Sequence, residues 1–303
     1  MRLITVIDRS PVRDRHWPGQ FESNHLRGFV AAATADHIRI VTYNVHKCRG
    51  LDRRVRPARI LRVLRELEAD IIALQEVLSI PGAGPEEDQA GYIAGGLGFA
   101  SFLGENRKLN GGAYGNLVLS RYPLRAALNH DISIDGREPR GCMRADVEVP
   151  GTALLHVFNV HLGTAYLERR EQGNKLLTSK ILNNRSLTGA RIVLGDFNEW
   201  TRGLATRVLS QEFNSVDIKK HLGRSRSYPG LLPFLHLDHI YFDPVISLKN
   251  VALYRSRAAL MASDHLPLVA DFCISKINLR DAPLGSGGAY DSRNKFRPFA
   301  ICE

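Results

Sequence analysis

Short apolar segments and one-sided helical patterns alternate along the chain between residues 37 and 275. The apolar segments are continuous runs rich in Val, Ile and Leu, which is typical of strands buried on both faces. The predicted strands are 37–43, 70–74, 117–119, 154–160, 191–194, 237–242 and 268–272. This alternation of strands and helices indicates the α/β class.

Two helices are predicted from apolar residues at helical spacing. The first begins at Pro57, because proline is tolerated at the first helical position, and the second begins at about Ala165. The inward-facing residues are predicted to be Ile60, Leu61, Leu64 and Leu67 in the first helix, and Leu176, Leu177 and Ile181 in the second. Each helix joins two buried strands.

One part of the sequence occurs twice. Tyr43-Asn44-Val45-His46 recurs as Phe158-Asn159-Val160-His161. Each copy ends a predicted strand, and a helix and a second strand ending in an acid follow it: Glu76 in the first copy, Asp196 in the second. The repeat predicts two related βαβ-containing halves that face each other, with both acids at strand ends where α/β proteins bind ligands. Chance similarity between short apolar strands is the alternative.

The two ends of the chain differ in composition from its centre. Residues 1–36 mix Pro, Arg, Asp and Gly without periodicity and are interpreted as an N-terminal extension. Residues 276–303 contain a Gly-Ser-Gly-Gly run and scattered charges, which is typical of a flexible tail. One folded domain is therefore predicted over residues 37–275.

Composition excludes several classes of protein. No apolar run approaches the ~20 residues of a membrane span, and the apolar start at residues 3–7 is too short for a secretory signal. Four cysteines lie far apart without a CxxC pair, which disfavours a zinc site or a disulfide framework. We therefore expect a cytoplasmic monomer without a transmembrane segment.

The net charge of +10 favours a polyanionic partner, with nucleic acid first and an anionic lipid surface second. A solvated basic surface is the alternative explanation. The basic residues form three groups close in sequence to the polar strand ends. The groups are Lys47, Arg49, Arg53, Arg54 and Arg56; Arg137, Arg140 and Arg144; and Lys219, Lys220, Arg224 and Arg226.

Amides, acids and imidazoles follow the buried strands with unusual frequency. They are Asn44, Glu76, His161, Asp196, Asn198, Asp238, Asp264 and His265. Each residue alone is explained by a turn, a cap or a buried histidine. Together they suit phosphoester hydrolysis, in which carboxylate and amide oxygens hold a hard cation that neutralises the leaving oxygen. A carboxylate or histidine activates water, and an oriented imidazole donates to the phosphate oxygens.

These motifs resemble the endonuclease/exonuclease/phosphatase superfamily, which includes deoxyribonuclease I, abasic-site endonucleases, neutral sphingomyelinases and inositol polyphosphate 5-phosphatases. The resemblance rests on Tyr43-Asn44, Leu74-Gln75-Glu76, Gly115-Asn116-Leu117-Val118-Leu119-Ser120-Arg121, Asn159-Val160-His161-Leu162, Gly195-Asp196-Phe197-Asn198, Leu237-Asp238-His239-Ile240 and Ser263-Asp264-His265. It implies a four-layer α/β sandwich of two packed mixed β-sheets flanked by helices, with pseudo-twofold halves. It also implies a Mg²⁺-dependent hydrolase, with Mn²⁺ as a substitute.

The resemblance implies roles for the acids and amides. Glu76 would bind Mg²⁺ directly, with Asn44 and Asp264 contributing directly or through water. Asp196 would position or deprotonate the attacking water, helped by Asn198.

The remaining roles are also implied by the resemblance. Asp238 would orient His265, and His265 would contact the scissile phosphate. His161 would touch the phosphate or protonate the leaving group. Asn116 would lie at the phosphate pocket, and His46 would line the site without a catalytic role.

The sequence leaves the substrate open. A nuclease acting on DNA or RNA is favoured by the basic groups, because binding along a phosphate backbone uses Lys and Arg widely. In the alternative, a phospholipid, sphingomyelin or inositol-phosphate phosphoesterase, the same groups would face a membrane or a polyphosphate. A catalytically inactive binding protein is disfavoured, because every expected acidic or imidazole position is filled.

Overall fold

The computed structural model describes residues 37–151, 154–199, 203–216 and 237–274. The predicted N-terminal extension, residues 1–36, and tail, residues 276–303, lie outside these ranges, as does the third basic group. The described strands are β1 (His37–Asn44), β2 (Ile71–Ser79), β3 (Ala100–Leu109), β4 (Gly112–Ser120), β5 (Leu124–Asp131), β6 (Gly141–Val147), β7 (Leu155–His161), β8 (Ala190–Asp196), β9 (Asn214–Ser215), β10 (Asp238–Phe242), β11 (Ser247–Leu253) and β12 (Leu268–Cys273). The described helices are α1 (Pro57–Leu67), α2 (Gln89–Leu97), α3 (Tyr166–Leu176), α4 (Leu204–Leu209) and α5 (Arg257–Ala262).

The strands form two mixed sheets whose orders correspond position by position. Sheet 1 has the order β11-β12-β1-β2-β4-β3, and sheet 2 has the order β5-β6-β7-β8-β10-β9. Each sheet has one parallel pair, β1 with β2 and β7 with β8, and a helix crosses over between the two strands of each pair. The other neighbours are antiparallel. The repeat detected in the sequence thus occupies equivalent positions in the two sheets.

The central strands are buried on both faces, which explains their continuous apolar runs. On β1, Ile40 packs between the sheets in one cluster with Ile192 of sheet 2. Its neighbour Val41 points to the opposite face, in a cluster that includes residues of α1, α2 and α5. Residues of α3 and α4 pack on the outer face of sheet 2. The predicted four-layer α/β sandwich is confirmed. Within the described ranges, no helix has both the length and the apolarity needed to cross a bilayer.

The second helix differs from its prediction. It spans Tyr166–Leu176, so Leu177 lies at its C-terminal cap and Ile181 is buried in the turns that follow. Its buried face is largely polar and includes Glu168 and Gln172. Gln172 accepts a hydrogen bond from the main-chain N–H of Gly163 and donates one to Glu168. The helix therefore braces the loop after β7 through hydrogen bonds as well as through apolar packing.

A buried amide joins the two sheets directly below the carboxyl ends of their central strands. Asn159 on β7 donates to the main-chain oxygens of Leu74, at 2.9 Å, and Leu117, at 3.0 Å, which belong to sheet 1. Its own oxygen accepts a hydrogen bond of 2.8 Å from Gln75. All the polar atoms of the Asn159 side chain are thus paired across the sheet interface, as burial requires.

Asn159→Ala is expected to lower the free energy of unfolding by about 3 kcal/mol, because the buried carbonyls of Leu74 and Leu117 lose the amide that donates to them and Gln75 loses one of its three acceptors. Urea unfolding monitored by circular dichroism measures this. Asn250→Ala is the matched control, since Asn250 is exposed on β11 and its change should stay within about 0.5 kcal/mol. Equal effects of the two substitutions would contradict a structural role for the amide.

Candidate active site

Side chains from four strands meet at one edge of the sandwich. Asn44 ends β1, His161 ends β7, Asp196 ends β8, and Glu76 lies within β2. The Asn44 amide nitrogen lies 3.2 Å from Glu76 Oε1 and 3.0 Å from Asp196 Oδ2 and donates to both. One amide therefore links the acid of each half, and the repeated segments converge on a single site.

Asp196 is held in place by its own turn. Gly195 has a φ of 144° and approaches β7 so closely that a Cβ there would lie 1.9 Å from the oxygen of Val160. Asn198 has a φ of 50°; its main-chain N–H donates to Asp196 Oδ1 at 2.9 Å, and its side chain donates to the Leu162 oxygen at 2.9 Å. The motif thus fixes the orientation of the carboxylate, and Asn198 acts on it through the main chain.

Two imidazoles flank the Asp196 carboxylate. The Nε2 atoms of His161 and His265 each lie 3.6 Å from Asp196 Oδ2. His161 comes from sheet 2, whereas His265 lies on the connection between α5 and β12 of sheet 1. A single carboxylate oxygen therefore faces one ring from each half of the molecule.

His265 is a cation in this setting. Its Nδ1 lies 3.1 Å from Asp238 Oδ2, and Asp238 sits opposite Asp196 in the β8–β10 register. Burial alone would lower the pKa of His265, but Asp238 and Asp196 raise it to about 10. The ring therefore carries protons on both nitrogens, with Nδ1–H donating to Asp238, the residue that the family resemblance pairs with it.

His161 is neutral. Arg140 Nη1 lies 3.3 Å from His161 Nδ1, and because a guanidinium only donates, Nδ1 must be the unprotonated nitrogen. Burial lowers the pKa of His161 to about 4. The charge of Asp196 acts in the opposite direction and raises it, whereas the charge of Arg140 lowers it further. The ring therefore turns its Nε2–H towards Asp196. Arg140 Nη2 also lies 2.9 Å from Glu138 Oε2, and this ion pair holds the guanidinium in place. The sequence analysis placed Arg140 in a basic group without identifying its contact with His161.

Glu76 leaves the regular pairing of its strand. The β2–β4 register shifts between Leu74 and Val77, and Glu76 has a φ of 60°. This left-handed conformation is costly for a non-glycine residue and is characteristic of functional sites. Burial would raise the pKa of Glu76, but the Lys47 cation and the hydrogen bond from the Asn44 amide hold it well below its usual range. Lys47 Nζ lies 3.0 Å from Glu76 Oε2, a contact that sequence reasoning missed.

Asp264 lies beside a second strained segment. His46, Lys47 and Cys48 have φ values of 47°, 57° and 54°, so three consecutive residues are left-handed. This turn brings His46 Nδ1 to 3.3 Å from Asp264 Oδ1. Burial would raise the pKa of Asp264, but His46 and His265 lower it. His46 therefore lines the site next to an acid.

Asn116 lies beneath the site in the interface between the sheets. Its amide nitrogen donates to the main-chain oxygens of Gly141 at 3.0 Å and Asn159 at 3.2 Å. Its buried Oδ1 has no hydrogen-bond partner among the described residues. Contact between Asn116 and a phosphate stays a prediction.

Two groups of donors are candidates for a divalent cation. Ligand atoms of Asp196, Asp238 and His265 lie within 4.8 Å of one another. In this set, however, His265 Nδ1 is already paired with Asp238 at 3.1 Å, and all three side chains are buried. Glu76 and Asp264 offer carboxylates whose side chains are 18% and 27% exposed, whereas Asn44 turns its amide nitrogen towards Glu76 and its oxygen accepts from the His46 N–H. The two partly exposed carboxylates fit a hard divalent cation better.

Comparisons with known proteins agree with this geometry. Residues 41–265 match the model of the Endonuclease/Exonuclease/phosphatase family. The uncharacterized protein YbhP of Escherichia coli K12 is 30% identical over 244 residues, which cover 77% of this chain and 95% of YbhP.

Solved structures at low identity show the same fold. The mannosyl-6-phosphatase Bt3783 of Bacteroides thetaiotaomicron has a TM-score of 0.63 at 16% identity, covering 78% of this chain and 99% of its own. The TDP2 structure from D. rerio, complexed with a single-strand DNA product, has a TM-score of 0.59 at 17% identity, covering 78% and 98%. The chain, with this fold and this arrangement of acids and imidazoles, belongs to the endonuclease/exonuclease/phosphatase family of hydrolytic phosphoesterases.

Proposed function

We propose that this protein is a Mg²⁺-dependent phosphodiesterase, with Mn²⁺ as a substitute, that hydrolyses its substrate with activated water. One observation carries the proposal. Asp196 Oδ2 lies 3.6 Å from the Nε2 atoms of both His161 and His265, beside the carboxylates of Glu76 and Asp264, which suit a divalent cation. A bound cation supplies neutralisation of the charge on the phosphoryl group and on the leaving oxygen.

The side chains divide the chemistry between them. The Asp196 carboxylate accepts a proton from the attacking water, and its orientation is fixed by Asn44 and by the Asn198 main chain. The His265 cation donates to a phosphoryl oxygen, where charge develops in the transition state. His161 has one proton, on Nε2, so it acts as a hydrogen-bond donor to the phosphate and not as a strong general acid.

Cationic side chains around the site favour an anionic substrate. Lys47 and Arg140 lie beside Glu76 and His161 at the floor of the site, at 3.0 and 3.3 Å. Beyond them, the exposed arginines of the connection after β1 flank the opening. These are Arg49, Arg53, Arg54 and Arg56. A phosphate backbone engages such arrays of arginine, so DNA or RNA is the first candidate substrate.

A phospholipid is the second candidate, because apolar side chains are exposed at the same edge of the sandwich. Leu51, Tyr166 and Leu167 follow β1 and β7, the strands that supply Asn44 and His161. The fold itself accommodates different substrates: one relative in fold is a sugar-phosphate phosphatase, and another was solved with a single-strand DNA product.

A substrate panel tests the proposal. Duplex DNA, single-stranded DNA, RNA, phospholipid vesicles, a generic phosphodiester and a generic phosphomonoester are each incubated with Mg²⁺ or Mn²⁺ at low salt. We expect hydrolysis of the generic diester and of one natural class. If that class is nucleic acid, the rate should fall steeply with salt, because counterion release drives binding. Intact substrates in every arm, with either metal, would refute a phosphodiesterase.

A further inference from the structure

Large apolar side chains are exposed at a few positions, and most of these lie near the active site. Among the described residues they are Leu51 (38% exposed), Tyr166 (55%), Leu167 (64%), Val245 (49%) and Met261 (40%). Val245 follows β10 at the end opposite Asp238, so it lies away from the site. Single exposed apolar residues are ordinary, but their concentration around one opening is a feature of interaction surfaces.

The four remaining residues lie on segments that adjoin site residues in both halves of the molecule. Leu51 lies on the connection between β1 and α1, and Tyr166 and Leu167 begin α3, directly after β7. β1 and β7 are equivalent strands in the two sheets, and their carboxyl ends meet at the site. Met261 lies in the last turn of α5, three residues before Asp264. We call Leu51, Tyr166, Leu167 and Met261 the apolar rim.

The apolar rim is presented on braced segments. Arg59 pairs with Asp52, next to Leu51, and its Nη1 lies 3.5 Å from the Met261 oxygen. On the other side, the loop after His161 is held by a hydrogen bond of 2.8 Å from the Gly163 N–H to Gln172. These contacts fix the backbone that carries the rim, so its exposure belongs to the folded state.

Arginines surround the rim. Arg49, Arg53 and Arg54 are exposed beside Leu51, and Asp52, the acid among them, is already paired with Arg59. Arg170 is exposed one helical turn after Leu167. Among the described residues, Arg49, Arg53, Arg54 and Arg170 have no ion pair, although the exposed Glu171 follows Arg170. Apolar side chains beside such arginines match the two layers of an anionic membrane surface, since the apolar groups enter the acyl boundary and the arginines meet headgroup phosphates. Tyr166 is the single aromatic residue of the rim, whereas binding of single strands relies on several stacking rings.

We propose that the apolar rim docks on an anionic phospholipid surface. Leu51 enters the lipid from one half of the molecule, and Tyr166 and Leu167 enter it from the other. Docking in this orientation places the opening of the site, between the two insertions, against the headgroup phosphoesters. The consequence for substrate choice rests on the proposed function: docking brings the second candidate substrate, a phospholipid, to the site, and the substrate panel decides between it and nucleic acid. The docking itself does not require catalysis.

Vesicle co-sedimentation of the full-length protein tests the docking. The vesicles are phosphatidylcholine with or without phosphatidylglycerol, and EDTA is present so that hydrolysis plays no part. The wild type should bind the anionic vesicles preferentially. Leu51→Ser, and Tyr166→Ser combined with Leu167→Ser, should each weaken partitioning by about tenfold or more, because the inserted apolar area is lost. Val245→Ser is the matched control and should bind like the wild type.

Three results would overturn the proposal. In the first, the wild type does not bind anionic vesicles. In the second, the rim variants bind as tightly as the Val245→Ser control, which would mean that charge attraction alone holds the protein on the vesicle. The third is a loss of oligonucleotide binding, measured by fluorescence anisotropy, in the rim variants without any effect on vesicles. Vesicle binding together with an inactive substrate panel would instead refute the proposed function and leave the docking intact.

Discussion

Asp196→Asn is expected to lower kcat for phosphodiester hydrolysis by about a hundredfold or more. The substitution removes the negative charge that lies 3.6 Å from each imidazole and the oxygen that accepts the Asn44 amide. If the asparagine oxygen takes the place of Oδ2, it is a poor base towards water. If its NH₂ group takes that place, it faces the NH₂ group of Asn44. Steady-state kinetics with a generic phosphodiester measures the change, and circular dichroism checks that the variant is folded.

Asp146→Asn is a matched control for this variant. Asp146 also pairs with a buried histidine, since its Oδ1 lies 2.7 Å from His156 Nδ1, but the pair sits at the opposite end of β7 from His161. Its loss should lower stability and leave kcat of the folded enzyme unchanged. If Asp196→Asn retained full activity, or if both variants lost activity equally, Asp196 would not be the base.

Removal of divalent cations with EDTA is expected to reduce hydrolysis by more than about a hundredfold, and Mg²⁺ or Mn²⁺ should restore it. The donors assigned to the cation predict a second effect. Glu76→Gln should raise the Mg²⁺ concentration for half-maximal activity by about tenfold or more, because a carboxylate is replaced by a neutral amide. Titration of activity with Mg²⁺ measures both effects.

The control for Glu76→Gln is another glutamate that pairs with a lysine. Glu105 contacts Lys108 at 2.8 Å on the exposed strand β3, just as Glu76 contacts Lys47. Glu105→Gln should leave the Mg²⁺ titration unchanged. Full activity in the presence of chelator would show that the reaction needs no divalent cation, and an unshifted titration of Glu76→Gln would remove that residue from the binding site.

The sequence predicted that the polar residues converge, because they follow short, buried apolar runs that were recognisable as neighbouring strands. Parallel strands bring their carboxyl ends to one edge, so acids and imidazoles that follow several apolar runs meet there. Asn44, Glu76, His161 and Asp196 meet in this way. The pairing of His265 with Asp238 was reached through the resemblance to a family and is visible at 3.1 Å.

The charge states of the two histidines were not predictable from the sequence. They depend on which side chains lie against each ring, and Arg140 reaches His161 across 21 positions in the chain. Long cationic side chains have many rotamers, so a basic group in sequence does not reveal its partner. Lys47 is the same case: only the left-handed turn at His46–Cys48 aims it at Glu76.

The edge strands were also missed. β3, β5 and β11 are half-exposed and mix charged with apolar residues, so neither alternation nor a continuous apolar run marks them. The role of Asn159 was hidden for another reason. An asparagine within a buried strand signals a satisfied polar contact, but its partners, the carbonyls of β2 and β4, are far away in sequence.

The order of strands in sheet 1 has a consequence for biosynthesis. β11 and β12 are the last of the described strands along the chain, yet they pair beside β1, and Asp264 and His265 lie on the segment between them. All six strands of sheet 2 have by then been translated, since they end at Phe242. A ribosome-bound chain therefore contains every strand of sheet 2 before His265 has been added. Since Asp264 and His265 come from the last part of the described chain, a chain that ends before them lacks both side chains and cannot assemble the site.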